Sequence, residues 1–475
     1  MGGFFGVASK KACSTDLFYG TDYHSHLGTM RGGMATVEGD TFSRFIHDIT
    51  NAQFRSKFET DVKRLPGNLG IGVISDYEDQ PLLITSHLGT YAIVTVGKIN
   101  NTAQLMRRAF HDHTAHISNM TLGEINPTEL VATLINQADS FEAGIVNAQS
   151  RIEGSCSMLV LAPGAIYAGR DKLGRTPVIL GRRDEKANPA YAVTMESCAF
   201  PNLDFETVRD LGPGEVVKIT PEGAQTLVKP GTKMRMCAFL WVYYGYPAST
   251  YEGVNVEVSR NRCGEMLARM DRADGDEPVG DVACGIPDSG VGHALGYAME
   301  SGIPYRRPFV KYTPTWPRSF MPQDQDTRQL IARMKLIPIR DLVVGRKLLF
   351  CEDSIVRGTQ LRDTLKRLRL SGAKEIHMRP ACPPLAFGCK YLNFSRSKSL
   401  KDLAVRRAVE DLEGSQDAHL DEYTTAGSPR YCAMVERIRK SMKLDSLKYQ
   451  RLDDLVKAIG LPLDKLCTHC WNGRE

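Results

Sequence analysis

One stretch constrains this chain more than any other: Lys347-Leu-Leu-Phe-Cys-Glu-Asp-Ser-Ile-Val-Arg-Gly-Thr359. An apolar strand runs straight into two adjacent carboxylates and then into a turn that carries hydroxyls and a glycine. This is the order expected of a strand–turn–helix crossover in an α/β sheet, where ligands bind beyond the carboxyl ends of the strands. Glu352 and Asp353 can accept hydrogen bonds from vicinal sugar hydroxyls. The turn formed by Ser354, Ile355, Val356, Arg357, Gly358 and Thr359 offers backbone N–H groups and two hydroxyls to a phosphate at a helix N-terminus. The helix that should follow is written in Leu361, Leu365 and Leu368 at helical spacing, with Lys366, Arg367 and Arg369 on the other face and Gly372 where a helix-ending glycine belongs. The stretch reads as a ribose-phosphate cradle; the plainer reading is a crossover loop that carries acids by chance.

With 475 residues, 42% of them hydrophobic and 24% charged, the chain has the balance of a soluble protein of two or three domains. Sixty basic against 55 acidic residues leave a net charge of +5, too mild to call for nucleic acid or an anionic membrane as partner. No apolar run approaches the roughly 18–20 residues of a membrane span, and Met1-Gly-Gly-Phe-Phe-Gly-Val7 lacks the basic start of a secretory signal. A cytoplasmic location is therefore expected, and twelve cysteines in that setting are expected to be buried, catalytic or metal-bound rather than disulfide-paired.

Up to about residue 230 the sequence offers short β-like segments, Gly70-Ile-Gly-Val-Ile74, Tyr91-Ala-Ile-Val-Thr-Val96, Met158-Leu-Val-Leu161 and Gly214-Glu-Val-Val-Lys-Ile219, with helical stretches near 101–110 and 129–136. These predict stacked antiparallel sheets with helices outside. From about residue 255 strands and helices alternate: Val282-Ala-Cys-Gly-Ile286, a helix from about Gly292, a strand over 305–311, the strand before Glu352 with its helix, and Glu375-Ile-His-Met-Arg379. That alternation predicts a parallel sheet with right-handed crossovers. The join is expected near Pro230-Gly231, and the polar stretch 413–429 reads as a surface excursion. The terminal Cys467-Thr-His-Cys470 has a spacing that suits an iron–sulfur cluster or a zinc ion.

The run Glu352-Asp-Ser-Ile-Val-Arg-Gly-Thr359 resembles the 5-phosphoribosyl-1-pyrophosphate (PRPP) motif of type I phosphoribosyltransferases, and its wording is closest to the amidophosphoribosyltransferase family of purine synthesis. Most relatives carry two aspartates where this chain has Glu352-Asp353; the swap adds a methylene and keeps both charges. The resemblance implies an N-terminal nucleophile-type αββα sandwich, a degenerate class II glutamine amidotransferase domain, over residues 1–232. A type I phosphoribosyltransferase parallel-sheet domain with a cysteine-containing C-terminal extension is implied for 233–475. It also places Asp288, Ser289 and Gly290, in Ile286-Pro-Asp-Ser-Gly290, at the pyrophosphate of PRPP, with Ser289, Glu352 and Asp353 holding Mg²⁺ partly through sugar oxygens and water. Lys311-Tyr-Thr-Pro-Thr-Trp-Pro-Arg-Ser-Phe-Met321 resembles the mobile loop that closes over PRPP, with Lys311 and Arg318 at the matching basic positions. The implied reaction is displacement of pyrophosphate from C1 of PRPP by ammonia to give 5-phosphoribosylamine.

The front half departs from the family. Relatives begin with a cysteine nucleophile followed by glycine, where this chain reads Gly2-Gly3. Glycine has no thiolate, and Cys13, inside the chain, has no free α-amino group to serve as base. The arginine expected in a Gly-His-x-Arg-Tyr context is Ser75 in Gly72-Val-Ile-Ser-Asp76, the Asn-Gly oxyanion pair is Val96-Gly97, and an expected acid falls near Pro127. Arg170-Asp-Lys-Leu-Gly174 and Glu196-Ser-Cys-Ala-Phe200 stay close to family wording. The expectation is a fold kept and a glutaminase lost.

One branch of the family carries a [4Fe–4S] cluster, and its ligand positions match Cys237, Cys389, Cys467 and Cys470. Reduced thiols or a four-cysteine zinc are the alternatives. Kinship further implies a homo-oligomer or association with an active homologue, and a purine nucleotide as effector. Two rival functions stay open at this point: a phosphoribosyltransferase with another nucleophile, and a non-catalytic regulator that senses PRPP or a nucleotide.

Overall fold

The structure is a computed structural model that describes residues 2–111, 120–121, 124–184, 188–275, 280–311, 336–393 and 400–474. Two antiparallel sheets form the front half. The first runs, edge to edge, Glu206–Asp210, Ile179–Arg183, Ala190–Thr194, Gly3–Ser9, Leu69–Ser75, Arg31–Glu38, Thr41–Asp48; the second runs Gly223–Val228, Val216–Thr220, Ala165–Gly169, Gly154–Ala162, Gly89–Ile99, Leu82–Ser86. Between them lies an apolar layer that includes Phe4, Val73, Val94, Leu159, Leu161 and Val193. Helix Ser14–Asp22 packs Leu17 and Phe18 on the outer face of the first sheet, while helices Pro127–Ile135 and Phe141–Arg151 cover the second. The central strands are buried on both faces, one against the facing sheet and one against the helices, so they read as short apolar runs. Each segment expected as a strand here is one, although the last begins at Val216 because Gly214 turns the chain at a φ of +67°.

The rear half is built on a parallel sheet in the order Val282–Gly285, Lys347–Glu352, Glu375–Pro380, Ser446–Leu447. Its inner strands are apolar on both faces because helices cover them, Val256–Ala273 and Val291–Ser301 among them. The segment expected as a strand over 305–311 is shorter and lies outside this sheet: Phe309–Lys311 pairs antiparallel with Leu336–Pro338, and Tyr305 makes only an isolated bridge to Ala283. The 413–429 excursion is also less loose than its polarity implied, since Tyr423 is buried at the end of a short helix, Leu420–Tyr423, and its hydroxyl donates to Glu413 Oε1 at 2.8 Å.

The halves meet through one apolar cluster that contains Phe5 and Ile179 together with Trp241, Leu267 and Leu349. A π-helical turn at Leu240–Tyr244 forms part of the join. Its carbonyls are taken by a buried pair: Arg260 donates to Trp241 O, Tyr243 O and Gly245 O, and His293 contacts Val242 O at 3.2 Å. Arg170 and Glu196, from the two front-half motifs, work at the same seam. Arg170, fully buried, donates to Thr176 O, Gly174 O and Leu211 O and pairs with Glu252 at 2.6 Å. Glu196 accepts from Tyr251 at 2.7 Å, from Ser249, and from His26 Nε2 at 3.1 Å.

Candidate functional site

At the carboxyl edge of the parallel sheet, the Lys347–Glu352 strand delivers Glu352 and Asp353 side by side, 8% and 7% exposed. Opposite them stands the loop that follows Val282–Gly285. Ser289 Oγ donates to Glu352 Oε1 at 3.1 Å, and Lys311 Nζ pairs with Asp288 at 2.8 Å. The loop is held against the neighbouring strand by Ile286 N donating to Cys351 O at 3.1 Å, and a Cβ on Gly290 would sit 2.3 Å from that same carbonyl. Glycine at 290 is what lets the two loops approach. Ser354 Oγ donates to Asp353 at 2.6 Å, Ile355 is buried, Val356 and Arg357 face outward, and Gly358 at a φ of +70° starts the helix Thr359–Leu370. The cradle residues thus lie at the N-terminus of a helix, where backbone N–H groups are free to meet an anion.

Among the described residues no lysine or arginine pairs with Glu352 or Asp353. Burial, and then the charge of Asp353, push the Glu352 carboxyl well above the usual carboxylate range. Two buried carboxylates without a cation suit a divalent metal. Among the described residues no three His, Cys, Asp or Glu side chains are grouped to hold an ion, so a metal here would complete its shell with ligand oxygens and water, the habit of Mg²⁺. Arg318, expected over this site, lies outside the described residues.

The positions set against the glutaminase motif meet at a second, small cavity. Gly2, Ser75, Val96 and Gly97 line it, together with Asp76, Glu78, Thr95 and Asn393. A Cβ on Gly2 would lie 2.4 Å from the Ile74 carbonyl oxygen, so backbone occupies the space a side chain would need. Ser75 Oγ donates to Glu78 at 3.1 Å, and Gly97 O accepts from Asn393 Nδ2 at 3.2 Å. Pro127 does not line this cavity; it is the first residue of its helix, capped by Asn126.

A third cavity brings together Cys237, Cys389, Cys467 and Cys470, walled by Arg175, Phe239, Tyr391, Leu392, His469 and Trp471. Cys237 and Cys467 are register partners in a two-residue parallel ladder, and the Cys470 carbonyl accepts from Ala386 N and Phe387 N at 3.1 Å each. Cys389 and Cys470 are close enough to share a hydrogen bond, which holds the Cys389 thiol down to about 7. Residues more than 200 apart in sequence converge here because the chain's last strand pairs with the first strand after the join.

No protein-family model matches the chain. It is 30% identical, over its full length and 97% of the other, to the amidophosphoribosyltransferase of Methanocaldococcus jannaschii. The chain belongs to the amidophosphoribosyltransferase family. The amidophosphoribosyltransferase of Synechococcus elongatus is 28% identical over 96% of this chain and 87% of its own length. In fold, the chain is similar to the B. subtilis glutamine PRPP amidotransferase solved in complex with ADP and GMP, with a TM-score of 0.83, 26% identity and 99% and 96% of the two chains covered. A structure described as the allosteric regulatory enzyme of purine biosynthesis matches equally, with a TM-score of 0.83, 25% identity, and 99% and 95% covered.

Within this amidophosphoribosyltransferase-type fold, Asp288, Ser289, Gly290, Lys311 and the 352–359 loop gather at one edge, and the four cysteines gather at another. The sequence reading missed Arg260, whose guanidinium lies within electrostatic reach of Asp353, and Arg175 and Lys98, which enter the cysteine site from the front half. No spacing rule flags them. They are single cations that only the folded join brings near their partners.

Proposed function

We propose that this amidophosphoribosyltransferase-family chain transfers ammonia to C1 of PRPP, releasing pyrophosphate and giving 5-phosphoribosylamine, and that it does not hydrolyse glutamine itself. The transfer reading is carried by one observation: two adjacent buried carboxylates at the sheet edge, Glu352 lying 3.1 Å from the serine of the facing loop, with no lysine or arginine paired to either among the described residues. Glu352 and Asp353 would orient the ribose hydroxyls, the 354–359 turn would bind the 5-phosphate, and Asp288, Ser289 and Gly290 would meet the pyrophosphate. Ser289, Glu352 and Asp353 would hold Mg²⁺, which when bound supplies charge neutralisation for the departing pyrophosphate. Lys311 and Arg318 would close over the substrate and keep water from the reacting carbon. No side-chain nucleophile is needed, so positioning and electrostatics supply the rate.

The absent glutaminase is supported by the clash that any side chain on residue 2 would meet and by Ser75 and Val96 in place of the guanidinium and amide expected there. Ammonia would then come from solution or from an associated homologue. A purine nucleotide effector is suggested by the ADP and GMP of the B. subtilis relative. The four-cysteine cavity supports a [4Fe–4S] cluster better than zinc. The four thiols line one cavity, and the terminal C-x-x-C with two distant cysteines is the ligand set expected of the cluster-bearing branch, with zinc as the alternative. The cluster would be structural, because transfer to C1 moves no electron. Pyrophosphate release from PRPP and Mg²⁺ with ammonium, and its absence with glutamine, is the expected assay result; release with neither would leave binding without catalysis.

A further inference from the structure

Among the described residues, the cysteine cavity contains a buried cation with no paired carboxylate. Arg175 is 4% exposed; its Nη1 donates to Cys467 Sγ at 3.2 Å, its guanidinium carbon lies 3.3 Å from the centroid of the Tyr391 ring, and its Nε has no hydrogen-bond partner. Among the described residues no carboxylate pairs with it. Its main chain is fixed at the cavity wall, since Arg175 O accepts from Cys237 N at 3.1 Å. A second cation, Lys98, donates from Nζ to Cys389 O at 3.2 Å.

A guanidinium cannot shed its proton, and burying it unpaired is costly. Stacking on Tyr391 returns part of that cost. A neutral thiol is a weak acceptor and returns little. The arrangement becomes balanced only when the sulfurs are thiolates and the cavity carries net negative charge, as four thiolates on an iron–sulfur cluster or on zinc do.

We propose that Arg175 is the counter-cation of the cysteine-bound centre, a positioning residue that donates to the Cys467 sulfur, stabilises the negative charge of the centre and raises its reduction potential. The inference rests on the reading of the four cysteines as a cluster site. It also gives a reason for the front half to persist without glutamine chemistry. Arg175 follows directly on Arg170-Asp-Lys-Leu-Gly174, so the same turn that locks the join supplies the charge.

The test uses the full chain isolated anaerobically, with Arg175→Gln and Arg175→Lys. Visible absorbance with iron and sulfide content reads the cluster, and mediated redox titration reads its midpoint. Arg175→Gln is expected to keep the four ligands and the colour but to shift the one-electron midpoint negative by at least a tenfold change in the redox equilibrium, about 59 mV. Arg175→Lys, which keeps charge but loses the fork, should shift less in the same direction and serves alone should the glutamine variant not fold. Melting separates charge from packing: Arg175→Gln should lower the melting temperature of the cluster-loaded protein but not of the chelated apoprotein. An unchanged midpoint, or an equal melting loss in both forms, would overturn the role given to Arg175. A colourless wild type holding zinc rejects the cluster reading instead; a tenfold faster zinc release to chelator in Arg175→Gln would then support the counter-cation, and equal rates would sink it. A wild type that takes up neither metal sinks both.

Discussion

The cavity at Gly2 and the edge at Glu352 both sit at strand ends, and their contents differ. At the front, the Ile74 carbonyl stands where a side chain on residue 2 would go, and Ser75 is spent on a hydrogen bond to Glu78. At the rear, two carboxylates stay buried and adjacent with no lysine or arginine paired to them among the described residues, an arrangement that costs stability unless a ligand uses it. Two front-half motifs close to family wording hold the join: Arg170 binds Glu252 and three carbonyls, and Glu196 binds Tyr251, Ser249 and His26. The difference teaches that the same fold builds a buried acidic edge at one strand end and a small, backbone-crowded cavity at the other.

The comparison breaks if front-half motif residues prove dispensable. Arg170→Met should cost about 3–5 kcal/mol of stability in urea unfolding, because it leaves Glu252 and three buried carbonyls without their donor; a loss below about 1 kcal/mol would mean the motif does not hold the seam. At the rear, Asp353→Asn or Glu352→Gln should lower ammonium-dependent pyrophosphate release by about 10²–10³-fold with little change in melting. Next come two buried histidines, one in each half. His24 and His293 are fully buried and desolvated, so each is held down to about 4 from 6.5. A histidine with a lowered folded pKa binds its proton more readily unfolded, so its contribution is complete above about pH 6.5 and is lost as pH falls toward 4, by about 3 kcal/mol each. Replacing either with glutamine should flatten the pH dependence of unfolding over that window. The smallest expected effect is the sharpest for the front cavity: Gly2→Cys should yield no glutamate from glutamine above background, since the new side chain meets the Ile74 carbonyl.

Much of this architecture was legible because it follows periodicity. The short apolar run Tyr91–Val96 suits a strand buried on both faces, and the Leu361, Leu365, Leu368 spacing suits a helix with one face inward. The Glu352-Asp353 pair was legible because acids at the end of an apolar strand leave few other uses. What periodicity cannot show is which distant elements share a wall. Phe309–Lys311 leaves the main sheet to pair with Leu336–Pro338, and Tyr423 anchors a stretch that reads as polar. Arg175 looks like an ordinary surface cation until Cys467 and Tyr391, from the other end of the chain, are packed on it.

The source of the transferred nitrogen tests the central claim most directly. The purified chain would be given PRPP, Mg²⁺, unlabelled ammonium and glutamine labelled with ¹⁵N in its amide, and the 5-phosphoribosylamine formed would be trapped and analysed by mass. The account predicts product carrying nitrogen from ammonium alone, with the labelled glutamine recovered intact. Label in the product, or no product from ammonium, would contradict it.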